Sequence, residues 1–99
     1  MAQPVFELAV VDGRPTIRGE CDLVNSGQIE AWLTSFEGET VEVDMSAVTF
    51  FDSSALRALL NARRKDPNIR VVEPSPAVLK VLEITGMVEY LVDGRDIFG

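Results

Sequence analysis

The chain has 99 residues, nearly half of them apolar, which is enough for one modest core and predicts a single domain over residues 1–99. Its formal charge of −7 argues against a direct nucleic-acid footprint and against docking on anionic lipid; it reads first as a solubilising surface, with a partner bearing a basic face as the alternative. It contains no histidine and one cysteine, Cys21, which excludes His-dependent triads, His-containing metal sites, an internal disulfide and a zinc cage; no cofactor is implied.

The beginning, "MAQPVFELAV", has no basic n-region and no long apolar h-region, so it does not read as a signal peptide. No window is apolar for long enough to insert into a membrane. With the lone cysteine, this suggests a cytoplasmic protein.

In chain order, "VFELAVVDGRPTIRGE" reads as two strands around a turn. Phe6, Leu8 and Val10 alternate with Glu7 and Ala9, and Asp12-Gly13 is a strong hairpin signal. The second strand resumes at Thr16, Ile17 and Arg18, and Gly19 reads as its end. "DLVNSGQIEAWLTSFEG" reads as a helix, with Ile29, Trp32, Leu33 and Phe36 on one face. Asp22, Asn25 and Ser26 are candidate caps, and Gly38 is a candidate stop.

The next strand is read over Val41 to Asp44. The alternation of Val41 and Val43 with Glu42 and Asp44 predicts a sheet with at least one face partly open. A loop anchored by Val48 and Phe50 then leads to a helix, "SSALRALLNARRK". Leu56, Leu59, Leu60 and Arg63 share a side of it. Its basic end, Arg63, Arg64 and Lys65, complements the helix macrodipole.

"IRVVE" is the fourth strand. "PSPAVLKVLEITG" is a third helix, with Ser75 as cap, Pro76 at the first helical position and Gly86 as stop. Val78, Leu79, Val81 and Leu82 form its apolar face. "MVEYLVDGRDIFG" reads as a short apolar piece, a turn and a stub at Ile97-Phe98. The order β-β-α-β-α-β-α predicts a small four-stranded mixed α/β sheet packed by helices, with a hairpin feeding two right-handed crossovers.

The chemistry concentrates in "FFDSSALRALL", where Ser53 and Ser54 follow Asp52 at a helix start. Taken structurally, these serines are caps, and loss of a true cap costs about 0.5–2 kcal/mol. Taken functionally, they are phosphorylation sites. A phosphoserine adds about −1.5 to −2 charges, which a helix N-terminus tolerates and a neighbouring aspartate does not. A catalytic serine would need Lys65 or Lys80 as base. Lys65 sits at the far end of the same helix, at about 1.5 Å of rise per residue.

"VEVDMSAVTFFDSSALRALL" resembles the signature of STAS domains, in particular bacterial anti-sigma factor antagonists. "IRGECD", with Gly19, Glu20 and Asp22, and "VVEPSPAVLKVLEITGM" resemble two further pieces of the family pattern, and the likeness extends over nearly the whole chain. The resemblance implies a STAS fold and a non-enzymatic switch. In its unphosphorylated form the protein would bind an anti-sigma factor that is also a GHKL-type serine kinase, freeing a sigma factor. Phosphorylation of the second serine, Ser54, would end binding, and a PP2C-type phosphatase would reset it. Asp22, Asp52 and Ser53 would share the surface, with Asp22 contributing to kinase recognition and Ser53 supporting the phosphorylation site.

The chain departs from the family pattern at Ala55, where glycine is frequent, and at Arg57, where a small residue is frequent. Arg57 adds a cation beside the contact surface that can retune the partner or pair with phosphate on Ser54. The family's last amphipathic helix is expected to be missing or very short. The alternative role for the same fold is a STAS subunit of a transporter complex or a stressosome scaffold; the intact Asp52-Ser53-Ser54 favours the antagonist.

Overall fold

The computed structural model describes residues 5–36 and 40–95. Strands β1 (Phe6–Val11) and β2 (Arg14–Cys21) form a hairpin, followed by α1 (Ser26–Leu33), β3 (Val41–Phe51), α2 (Ser53–Lys65), β4 (Ile69–Pro74), α3 (Pro76–Thr85) and α4 (Val88–Leu91). The sheet order is β1-β2-β3-β4; the first pair is antiparallel and the other two are parallel. This is the four-stranded mixed sheet that the element order predicts, with the short α4 added. Gly38 and the Ile97-Phe98 stub lie outside the described residues.

The hairpin closes through Asp12 and Gly13, both at positive φ (51° and 78°), between the paired residues Val11 and Arg14. Two consecutive residues of this kind give a two-residue turn whose twist matches that of the strands. Val10, expected to alternate inward, is exposed along with Val11. Both sit at the hairpin end of an edge strand, Val11 pairing with exposed Arg14.

Gly19 does not end β2. It lies inside the strand at φ 90°, next to a register irregularity against β3. A Cβ there would fall 2.1 Å from the Val5 carbonyl oxygen, which accepts a 2.6 Å hydrogen bond from the Glu20 N–H. Glycine is required both by the left-handed backbone and by the close approach of β1.

The third strand runs seven residues beyond Asp44, to Phe51, and replaces the expected loop. Its buried positions are Val41, Val43, Met45, Val48 and Phe51, so a spacing of two gives way to a spacing of three. The cause is the register. Thr16 pairs with Asp44 but Arg18 with Ala47, and Gly19 pairs with Val48 but Glu20 with Phe50. Each step inserts one extra residue into β3 and turns the strand's inward face. Val48 is therefore the buried anchor that the sequence suggests, whereas Phe50 is 48% exposed and Phe51 fills the core in its place.

One sheet face carries Ile17, Cys21, Val43, Met45, Ile69 and Val71 into the core, against Ile29, Leu33, Leu59, Val78, Leu82 and Leu91 of the helices. The other face is open, as the alternation predicts. It is covered by ion pairs instead: Arg18–Glu7 at 3.0 Å, Arg70–Glu42 at 3.3 Å and Arg14–Glu42 at 3.9 Å. Exposed pairs of this kind contribute little stability.

Helix α1 ends at Leu33, earlier than expected, and Phe36 folds back so that its ring meets Trp32 edge-on at 4.9 Å. Helix α3 follows its sequence signals closely. Ser75 Oγ accepts the Val78 N–H at 3.2 Å, and Pro76 is the first helical residue. Gly86, at φ 73°, closes the end while Met87 N–H donates to the Leu82 carbonyl at 2.8 Å. Val78 and Leu82 are buried; Leu79 and Val81 are only half-buried.

The basic end of α2 divides by role. Lys65 pairs with Glu30 of α1 at 2.7 Å, and hydrogen bonds from Lys65 and Asn61 hold the Glu30 carboxyl below its usual range. Arg64 hydrogen-bonds Asn61. Arg63 is only 5% exposed. It donates to the Pro67 carbonyl at 2.6 Å and the Gly94 carbonyl at 3.3 Å, and its guanidinium stacks over the Tyr90 ring at 4.6 Å. It thus ties the C-terminal end of α2 to the start of β4 and to α4, well beyond a macrodipole contribution.

The fold makes Gly19 the least replaceable position in the sheet. Gly19→Ala should destabilise the protein by about 3 kcal/mol through backbone strain and collision with Val5. Urea denaturation checks this, and a change below about 0.5 kcal/mol would contradict the close packing at this bulge.

Candidate functional site at the strand ends

The last rung between β2 and β3 pairs Cys21 with Phe51, and the next N–H, that of Asp52, donates to the Cys21 carbonyl at 3.3 Å. Asp22 and Asp52 therefore leave adjacent parallel strands side by side. This is the carboxyl-terminal edge of the parallel sheet, where open α/β folds expose their loops to ligands and partners.

Asp52 starts α2. Its backbone is extended (φ −111°, ψ −176°), its carbonyl accepts the Leu56 N–H at 3.0 Å, and its Oδ1 accepts the Ala55 N–H at 2.9 Å. The cap is thus the aspartate, which corrects the expectation that a serine performs it. Ser53 and Ser54 are the first two residues inside the helix; Ser53 is exposed and Ser54 half-buried. Their N–H groups have no intrahelical acceptor by position, and their hydroxyls are released from capping. Arg57 is exposed one turn on from Ser54, a spacing that makes the two helical neighbours.

Asp22 opens a loop rather than a helix. Asn25 supplies the reason: its side chain accepts the Asp22 N–H at 3.0 Å and donates to the Glu20 carbonyl at 2.9 Å, so it braces the loop instead of capping α1. Asp22 Oδ1 accepts the Val24 N–H at 3.0 Å, and Ser26 Oγ donates to the Leu23 carbonyl at 3.2 Å. Of the three candidate caps, Asn25 stands at the cap position and none caps the helix through its side chain.

Cys21 is fully buried beneath the two aspartates. Burial, reinforced by the charges of Asp22 and Asp52, pushes its thiol up to about 12. It is a protonated core residue, as a small apolar side chain at a strand end would be.

The family resemblance implies a shared surface for Asp22, Asp52, Ser53 and Ser54 with Arg57 beside it, and the strand pairing brings the two segments that carry these residues to the same edge. Leu23 and Val24, absorbed into the predicted helix, were missed; they are exposed in the same loop. The signal available for them was the Asx-forming Asp22 and Asn25 around an apolar pair. Among the described residues there is no group of three or more acidic, cysteine or histidine residues able to hold a metal ion, and no helix long and apolar enough to cross a membrane.

The STAS domain family model matches residues 10–98, and the chain belongs to that family. An anti-sigma factor antagonist from Mycobacterium paratuberculosis is similar in structure, with a TM-score of 0.67 at 23% identity over 87% of this chain and 80% of that one. The anti-sigma factor antagonist SpoIIAA, solved in its unphosphorylated form, gives a TM-score of 0.64 at 26% identity over 88% of this chain and 85% of that one. No curated protein matches the chain.

Two outcomes test the local geometry. Asp52→Ala should lower stability by about 1 kcal/mol while Asp52→Asn, also a good cap, should retain most of it; equal losses in urea melts would contradict the capping role. Cys21 should react with Ellman's reagent at pH 8 only as the protein unfolds. Because the native thiol keeps its proton up to about 12 and an unfolded one loses it near 9.0, its contribution to stability is intact below pH 9 and declines as pH rises toward 12. Rapid labelling of the native protein would refute the burial argument.

Proposed function

We propose that this STAS domain is an anti-sigma factor antagonist whose binding is switched by phosphorylation of Ser54. In the unphosphorylated form it binds an anti-sigma factor that is also a serine kinase, and so releases a sigma factor. The observation that carries this reading is the assignment of capping to Asp52, which leaves the Ser54 hydroxyl at the helix start without a structural duty. The likeness to anti-sigma factor antagonists supports the same reading.

The physical case for a switch is electrostatic. A phosphate on Ser54 adds about −1.5 to −2 charges at an edge that already carries Asp22 and Asp52. The helix N-terminus stabilises the added anion within the free protein, so the fold persists. Arg57 would offer a further contact to the phosphate from the next turn. In the complex, a partner surface shaped for a neutral hydroxyl must desolvate or repel the phosphate. A penalty of about 3 kcal/mol would weaken binding more than a hundredfold. A PP2C-type phosphatase would restore the binding form.

Incubation with the cognate kinase and ATP should place one phosphate on Ser54, seen by mass spectrometry, and Ser54→Ala should fold, bind and resist modification. Ser54→Asp should weaken binding at least tenfold with little change in Tm. Phosphate on Ser53 would overturn the residue assignment, and undiminished binding by Ser54→Asp together with the phosphorylated protein would overturn the switch.

A further inference from the structure

Leu23 and Val24 are 73% and 93% exposed, and Val24 is the most exposed of the large apolar side chains among the described residues. They are not on a frayed segment. The hydrogen bonds from Asp22, Asn25 and Ser26 brace the loop backbone from both sides, which reduces the backbone ordering that binding must impose. A loop that only linked β2 to α1 would be served by polar residues. What distinguishes the pair from the other exposed apolar residues is its place, two adjacent aliphatic side chains in a braced loop at the edge that also carries Asp22 and Asp52.

We propose that Leu23 and Val24 are the apolar anchor for the protein partner that reads Ser54, and that they insert into an apolar pocket rimmed by basic side chains. This inference rests on the antagonist reading and names the part of the surface that phosphorylation leaves unchanged. Charge selects the partner's chemistry: Asp22 directly precedes the pair and accepts the Val24 N–H, Asp52 leaves the adjacent strand at the same edge, and the chain carries −7 overall. An apolar pair beside two carboxylates is complemented by an apolar pocket with basic side chains at its edge. The arrangement separates two tasks. Leu23 and Val24 supply affinity, which depends on buried apolar area, and Ser54 supplies control, which depends on charge.

The test uses the full chain and the anti-sigma factors of the source organism, each purified and titrated by calorimetry. The double variant Leu23→Ser/Val24→Ser should weaken binding about a hundredfold, since two aliphatic side chains lose their burial. Its Tm should match the native protein, because neither side chain enters the core. Ile84→Ser, which removes an equally exposed apolar residue from α3, should bind as the native protein does. Phosphorylation of the native protein and of the double variant should each still reduce binding. If the native protein binds and the double variant binds equally well, the anchor is overturned while the antagonist reading stands. If the native protein binds none of the anti-sigma factors, both fall. Sedimentation supplies the remaining control: self-association of the native protein that the double variant abolishes would assign the pair to a second copy of the chain and overturn the proposal.

Discussion

The parallel pairing of β2 with β3 is the constraint on which the candidate site depends. The described part of the molecule brings residues near 20 together with residues near 50 chiefly through this ladder, and its last rung, Cys21 with Phe51, determines where both chains leave the sheet. A slip of one residue would carry Asp52 away from Asp22 and turn Phe51 out of the core. The ladder reaches that rung because β3 takes up two extra residues between Asp44 and Phe51, set against Thr16 to Cys21 of β2. Gly19 belongs to the same adjustment. Its left-handed backbone lies beside the second irregularity and lets Val5 close over Glu20, so the bulge is covered by β1.

That adjustment also explains which parts of the fold were legible in the sequence. Helix α3 was readable from end to end because its signals are local: Ser75 caps, Pro76 starts and Gly86 stops it, each within a turn of the groups it satisfies. The hairpin was readable for the same reason, in Asp12 and Gly13. The second half of β3 was not. Period-two alternation ends at Met45 because the bulges rotate the strand, and a bulge is set by the partner strand rather than by the residues that bulge. Arg63 was opaque in a similar way. Within a basic triplet it looks like its neighbours, and only Tyr90, Pro67 and Gly94, brought in by the fold, distinguish a buried guanidinium from a solvated one.

The candidate site was legible as a set of residues and illegible as a division of labour. Asp52, Ser53 and Ser54 are all competent caps, so composition alone cannot decide which of them caps. The decision is made by the backbone. Asp52 is the last extended residue, its N–H is still committed to Cys21 across the ladder, and its carbonyl already serves Leu56 in the helix. A residue that is half in each element is the cap, and the serines after it are inside the helix. The β2–α1 loop shows the converse. Its residues look like a helix start, but Asn25 spends its side chain on Asp22 and Glu20, and the helix begins only at Ser26.

A phosphorylation switch on such a scaffold need not move any backbone. The same donors that make the helix N-terminus hospitable to an anion in the free protein are already oriented, so the modified and unmodified forms can share one fold and differ in surface potential. The free-energy difference must then arise in the complex, where the hydration of the phosphate is withdrawn and the neighbouring carboxylates are no longer screened by water. Arg57 bears on the size of that difference. A guanidinium that follows the phosphate on the helix lowers the net charge that the partner meets, so a chain with arginine here needs either a closer-fitting partner surface or a larger apolar contribution to remain both tight when unmodified and weak when modified. An apolar anchor that does not sense charge satisfies the second of these.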